Sequence, residues 1–329
     1  MKRAGIKNNS QSRKVLAITG PTASGKTKFS ILVSELLKQH GIVSEIISAD
    51  SRQVYKHIPI ATCQPIHSEL KKVKHHFISF LEPDENFNAG EFGELGRKKI
   101  NLLFSENKLP VIVGGSGLYV NSLIYGFFEF DIDDAKNIER KSIRKNLEDK
   151  LTKEGKEKLL EELNRVDFES AEKMRNVNPR RIIRALEVFK VTGIPLSQFQ
   201  KQKIEINFQP VIYALSWDRK KLYERINKRV DEMLEEGLIK EVKTLQQEGF
   251  HFTKQNSLNT VGIKEAFDCL EGKTSEQRMV ELIKQNSRRY AKRQLTWFRK
   301  NKDIKWLEIN DENEIEKLAE EVVEDFFTT

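Results

Sequence analysis

Apolar positions fall into two alternating rhythms over most of the chain. Short apolar-rich runs, Val15–Ile18, Ile42–Ala49, Leu109–Val113 and Val211–Leu215, predict buried strands. Between them, apolar residues recur every three or four positions. Phe29, Leu32, Val33, Leu36 and Leu37 predict a helix after the first run, and a second helix starts at 87–92 (FNAGEF) and reaches about Phe104. Strands that alternate with helices in this way predict an α/β fold, a parallel sheet flanked by helices. The rhythm changes near Phe130. From Asp131 to about Gln202 the chain is charged and helical, with few β-branched runs, so 130–202 reads as an all-helical insertion and 15–129 with 203–329 as the core. Past Leu215, helices are expected through Leu222, Ile226, Val230, Met233 and Leu234, then up to Leu245, from Thr260–Glu265, and from Ser275 to Lys300. Trp306–Leu307 predicts a last short strand, and an acidic amphipathic helix closes the chain.

The first strand runs directly into Gly20-Pro21-Thr22-Ala23-Ser24-Gly25-Lys26-Thr27, the glycine-lysine pattern of a phosphate-binding loop, and a helix follows as that loop requires. Its glycines let backbone N–H groups turn inward onto a diphosphate, and the helix dipole adds to that field. Lys26 places a cation on the phosphate oxygens, and Thr27 offers a hydroxyl to Mg²⁺. The loop identifies a di- or triphosphate ligand, as in many nucleotide- and ATP-binding proteins, but not its fate. Asp50 follows the second strand at the same sheet edge, where open α/β sheets bind ligands. It suits either a helix N-cap or a base or metal ligand facing the phosphates. Gly114-Gly115-Ser116-Gly117 follows the third strand, so the Ser116 hydroxyl is a candidate ligand contact. His75 and His76, adjacent on a strand, point to opposite faces and do not share a metal ion; structural or polar contacts are expected of them.

Charge extends the picture toward a polyanion. The net charge is +8 with 32% charged residues, which fits nucleic acid or ordinary solubility. Pro179–Phe189 predicts an amphipathic helix on which Arg180 and Arg184 share a face, either solvated or touching nucleic acid. Lys284, Arg288, Arg289, Lys292 and Arg293 lie on the long helix with Tyr290, Trp297 and Phe298 among them, where aromatics either stack on bases or join the core. Residues 1–14, basic and without an apolar signal core, are expected to be a disordered tail. No apolar run is long enough to span a membrane. Cys63 and Cys269 are the only cysteines, so a reducing, cytoplasmic setting is expected.

GPTASGKT, DSRQVY, HHF, GGSGLY, NPRRIIRALEVFKVTG and KRQLTWFRK occur in this order, and over roughly Leu16–Trp306 the chain resembles the tRNA dimethylallyltransferase family, bacterial type. The resemblance implies transfer of a dimethylallyl group from its diphosphate to N6 of adenine 37, next to the anticodon. It implies a P-loop, kinase-like parallel sheet whose helical insertion grips the anticodon stem-loop, working as a monomer with Mg²⁺. Gly20–Thr27 would hold the diphosphate, Thr27 the metal, and Arg229 a second cation opposite Lys26. Asp50 would be the general base, with Ser51, Arg52, Gln53 and Ser116 around the flipped adenine. Arg144, Arg180, Arg181, Ile182, Ile183 and Arg184 would contact tRNA. Two departures are visible: Ser116 stands where the family usually has Thr, and Thr62-Cys63-Gln64-Pro65 replaces the frequent Thr-Ala-Lys-Pro, removing a cation at Gln64. Prenylation of free adenine nucleotides, small-molecule phosphorylation and non-catalytic RNA binding are the competing functions.

Overall fold

The computed structural model describes residues 13–126, 134–201 and 205–328. The chain divides into two compact units, Met1–Ile124 with Ile206–Thr329, and Tyr125–Glu205. Of the expected basic tail, residues 1–12 lie outside the described residues. Arg13 and Lys14 correct that expectation: they open the first strand and pair with Phe208 and Gln209.

The first unit is built on a parallel sheet whose described strands are β1 (Arg13–Thr19), β2 (Ser44–Ser48), β3 (His75–His76), β4 (Leu109–Gly114), β5 (Phe208–Trp217) and β6 (Ile304–Ile309), in the spatial order β3-β2-β4-β1-β5-β6. Each sequence-expected strand is present, though β2 is shorter and β5 longer than the apolar run that marks it. β5 extends because it pairs with both β1 and β6, and those ladders carry polar positions such as Gln209 and Ser216 along with the apolar ones. In chain order the helices are α1 (Lys26–Gln39), α2 (Pro59–Thr62), α3 (His67–Lys72), α4 (Ala89–Ser105) and α5 (Gly117–Tyr125). The second unit holds α6 (Asp134–Val166, broken at Gly155), α7 (Phe168–Met174), α8 (Pro179–Thr192) and α9 (Leu196–Phe199). Then come α10 (Arg219–Glu235), α11 (Leu238–Gln247), α12 (Ile263–Leu270), α13 (Glu276–Phe298) and α14 (Glu314–Thr328).

The sheet core joins Leu16, Ile18, Val111, Tyr213 and Leu215 to Phe29 and Val33 of α1. The acidic last helix finds its partner here: Ala319, Val322, Val323 and Phe326 of α14 belong to the same core. A second cluster packs Val54, Tyr55 and Ile58 against Val230, Leu238, Phe267 and Ile283 from α10–α13. It fixes the segment after β2 on the helices that follow β5. The insertion has its own core, with Leu147, Leu159 and Leu163 facing Ile182, Ile183 and Leu186.

Register decides where the chemistry gathers. Thr19, the last residue of β1, lies beside Gly114 and Ala214, while Ser48 of β2 lies beside Val113. The carboxyl ends of β2, β4 and β1 therefore stop at one level, and the loops carrying Asp50, Ser116 and Lys26 emerge side by side. The chain leaves β1 toward β4 and β2 on one flank and has β5 on the other, which makes this edge a switch point of the sheet.

Candidate active site

The phosphate loop is shaped by groups that hold its carbonyls away from the ligand side. Lys26 Nζ donates to Pro21 O at 2.7 Å, Arg225 Nε to Ala23 O at 2.9 Å, and Trp217 Nε1 to Ser24 O at 3.0 Å. Arg225 itself stacks over the Trp217 ring and pairs with Glu312. Gly20 has φ +141°, and a Cβ there would lie 2.9 Å from Leu215 O, so only glycine lets the loop leave β1 so close to β5. The N-terminus of α1 at Gly25 has no side-chain cap, leaving its dipole available to an anion.

A cavity of about 1130 Å³ opens in front of this loop. Thr22 to Thr27, Ser24 excepted, line it, together with Asp50–Gln53, Cys63, Arg229 and Tyr290. Gly20 and Pro21 are buried and are not part of the lining. Ser24 is fully buried and its Oγ has no hydrogen-bond partner. Lys26 is pushed down to about 8, first by burial and then by the neighbouring Arg229 charge, with Asp50 pulling the other way. The site thus concentrates positive charge that a polyanion would satisfy.

Asp50 caps a turn rather than a helix, and it faces the phosphate-loop cavity. Oδ1 accepts from Arg52 N at 2.8 Å and Gln53 N at 3.4 Å, capping the turn after β2, and the residue also lines the cavity. Ser51 N donates to Ser116 Oγ at 3.1 Å, and the Ser116 hydroxyl donates to Ser51 Oγ at 3.3 Å. The Tyr290 phenol joins Ser116, and burial and the Asp50 charge push it up to about 12. Tyr290 is therefore a neutral hydroxyl beside Asp50 throughout the physiological range.

Two neighbours expected around the adenine are engaged by the protein. Arg52 donates from Nη1 to Asn256 O at 2.6 Å and Ser257 O at 2.9 Å, and from Nη2 to Asn259 O at 3.3 Å. Gln53 accepts from Ser48 Oγ and donates to Thr62 O and Cys63 O. Both side chains hold the site's walls in this structure. Gln64 does the same in place of a lysine: its amide donates to Gln53 O and Tyr55 O and accepts from Ser79 Oγ at 2.6 Å. A lysine has no acceptor for Ser79.

Three positioning interactions escaped the sequence. Arg229 Nε donates to Cys63 Sγ at 2.8 Å. Glu241 of α11 accepts from Ile60 N and Ala61 N, anchoring the start of α2, which Cys63 follows. Gln294 of α13, almost wholly buried, accepts from Thr22 N at 2.8 Å and donates to Gly115 O at 2.8 Å. A Cβ on Gly115 would run into this amide and one on Gly114 into the Ala49 carbonyl, which explains why the second loop starts with two glycines. Gln294 sits inside the KRQLTWFR motif, the one signal that pointed to it. Because it ties the phosphate loop to the Ser116 loop, Gln294→Leu leaves two buried groups unpaired, at about 1–3 kcal/mol each. The expected result is a loss of about 10²-fold in kcat/KM measured by steady-state kinetics, with melting temperature falling as well.

The remaining expectations divide by burial. Ile182 and Ile183 are buried at 0% and 1% in the insertion core, which corrects their assignment as tRNA contacts: their side chains present nothing to a ligand. Arg180 and Arg181 are exposed, and Arg144 and Arg184 are half-exposed. Phe298 is core, at 2% exposure, so it stacks on no base. Trp297 packs over Gly117. The histidine rings part as expected: His76 meets Glu45 at 2.6 Å, and His75 bonds the Val73 carbonyl. Among the described residues no group of three or more His, Cys, Asp or Glu is placed to hold a metal. Thr27 and Asp50 do offer hard oxygen donors on one cavity wall. That sparse set fits Mg²⁺, which keeps water and substrate phosphates as its other ligands. No described helix is long and apolar enough to cross a membrane.

Comparison with known proteins adds a family. A family model described as IPP transferase matches residues 53–301. A tRNA dimethylallyltransferase of Finegoldia magna is 42% identical over 312 residues, covering 94% of this chain and 95% of its own. One from Natranaerobius thermophilus is 38% identical over 319 residues, with 96% and 93% covered. Among solved structures, the full-length tRNA isopentenylpyrophosphate transferase of Bacillus halodurans is 35% identical with TM-score 0.67, covering 97% of this chain and 99% of its own. A eukaryotic dimethylallyltransferase acting on tRNA is 26% identical with TM-score 0.79, covering 96% and 80%.

Proposed function

The chain belongs to the IPP transferase family and transfers a dimethylallyl group to tRNA, and from this premise we propose how its residues perform the transfer. The donor is dimethylallyl diphosphate and the acceptor is N6 of adenine 37 in the anticodon loop. Lys26, the loop amides and Arg229 bind the diphosphate from two sides. Asp50 accepts the N6 proton as the N6–C1 bond forms and the C1–O bond breaks, and diphosphate departs with the electron pair. The allylic carbon carries developing positive charge, so the barrier depends on stabilising the leaving diphosphate, which these cations do without rearrangement. Thr27, with Asp50 nearby, would hold Mg²⁺, which would further neutralise the leaving group.

The adenine must leave its stack to reach Asp50, at a cost on the order of a few kcal/mol. Ser51 and Tyr290 line that end of the cavity, suited to holding a base edge, and the buried Ser116 hydroxyl backs them from outside the lining. Arg144, Arg180, Arg181 and Arg184 in the insertion grip the RNA backbone. The reading takes the protein as a monomer working in the cytoplasm beside its tRNA, with both cysteines as free thiols.

The observation that carries the reading is that the phosphate loop with Lys26, the cation Arg229 and the carboxylate Asp50 line one cavity. The test incubates the protein with Mg²⁺ and labelled dimethylallyl diphosphate, plus either an anticodon stem-loop with adenines at positions 36–38 or free AMP. Label is expected in the stem-loop alone. Label only in AMP would reassign the acceptor, and label in neither would remove dimethylallyl diphosphate as the donor.

A further inference from the structure

The second unit contains a charge cluster that the transfer chemistry does not use. Glu187 of α8 is 1% exposed, and neither of its carboxylate oxygens has a hydrogen-bond partner of acceptable geometry. Three guanidinium groups surround it instead. Arg140 Nε and Arg184 Nη1 each lie 3.2 Å from Oε1, and Arg144 Nη1 lies 3.5 Å from Oε2. Arg140 and Arg144 are one turn apart on α6, and Arg184 is one turn before Glu187 on α8. The packing of Leu147 against Ile183 and Leu186 joins these two helices in one core.

Burying a carboxylate is costly unless it is paired. Here three arginines share it, and each remains partly open to solvent, at 38% for Arg140, 45% for Arg144 and 42% for Arg184. Glu148, exposed and 3.1 Å from Arg144 Nε, is a second acid at the rim of the cluster. The three guanidinium groups stand at fixed spacing on a helix pair. The buried acid sits behind them, so it orders the guanidinium groups from their inner side and leaves their solvent side facing outward. That is how several donors can be held ready for one anionic oxygen cluster.

We infer that Glu187 is a positioning residue, which holds Arg140, Arg144 and Arg184 as one array for the phosphates of the RNA substrate, and that Arg140 belongs to this array. The inference rests on the proposed RNA acceptor and goes beyond it by naming the residue that orders the arginines. The mechanism is electrostatic. With the acid neutralised, three like charges repel, each guanidinium regains its rotamer freedom, and binding must order them again.

Glu187→Gln keeps shape and removes the charge. For the full-length protein, KM for the anticodon stem-loop is expected to rise about tenfold, the worth of one charge-assisted hydrogen bond. kcat and KM for dimethylallyl diphosphate should not change. The slope of log affinity against log salt should become shallower by about 0.7–0.9 for each phosphate that is no longer neutralised. Arg140→Gln should give the same split, and the double variant should be no worse than either single one, since both disable one array. Unchanged RNA KM in both variants would make the cluster a fold element only. Tighter RNA binding by Glu187→Gln would make the acid a mere neutraliser, and additive losses would make the arginines independent; each result overturns the inference. If Glu187→Gln does not fold, the partly exposed Arg140→Gln decides alone. Absence of RNA labelling by the wild-type protein is a separate failure, that of the acceptor assignment itself.

Discussion

Replacing Asp50 by alanine is expected to slow transfer by about 10²–10⁴-fold, with stem-loop binding near that of the wild-type protein. The N6 lone pair of adenine is delocalised into the ring, so the amine becomes a competent nucleophile only as its proton leaves. Asp50 is the carboxylate that the sheet register delivers to the level of the phosphate loop, close enough that its charge acts on both Lys26 and Tyr290. It also has a structural task, since Oδ1 caps the turn through Arg52 N and Gln53 N. Asp50→Asn separates the two tasks, because the amide oxygen keeps the cap and has no basicity. Single-turnover rates and filter binding on both variants check the assignment. If Asp50→Asn transfers at close to the wild-type rate while Asp50→Ala does not, the residue is a cap and the base lies elsewhere.

What was legible in the sequence follows from the range of each interaction. The strands were visible because a parallel sheet covered on both faces demands apolar-rich runs, and Gly20–Thr27 was visible because a phosphate loop is contiguous. Placing Asp50, Ser116 and Lys26 together needed only the rule that ligands gather at the strands' carboxyl ends, and the Thr19–Gly114 and Ser48–Val113 registers bring those ends level. Gln294 was opaque for the opposite reason: its partners, Thr22 and Gly115, are far away in the chain, and nothing local marks a glutamine as a bridge. Ile182 and Ile183 were placed with the arginines that flank them because a motif gives neighbours in order, whereas a helix sends them to opposite faces. Arg52 and Gln53 show the same limit, as their side chains are fixed by loops that the sequence leaves unplaced.

Lys26→Met is expected to weaken binding of dimethylallyl diphosphate by about 10²-fold, through removal of a charge-assisted hydrogen bond to a polyanion, and yet to raise the melting temperature of the empty protein. The opposed signs follow from one pKa. Folding lowers Lys26 from 10.5 to about 8 through burial and the Arg229 charge. The unfolded chain therefore binds a proton more readily than the folded one, and the ammonium penalises stability fully below pH 8. The penalty fades as pH rises from 8 to 10.5, and its ceiling at neutral pH is on the order of 3 kcal/mol. A bound diphosphate reverses the environment and favours the charged form. Between pH 8 and 10, binding must then take up a proton, and wild-type affinity should fall about tenfold per pH unit. Titration calorimetry at pH 9 in two buffers of different ionisation enthalpy reads the uptake directly. Uptake of about one proton by the wild-type protein and none by Lys26→Met is the expected pair. Equal uptake by both would mean that another group titrates, and that Lys26 is already neutralised by its surroundings rather than waiting for the ligand.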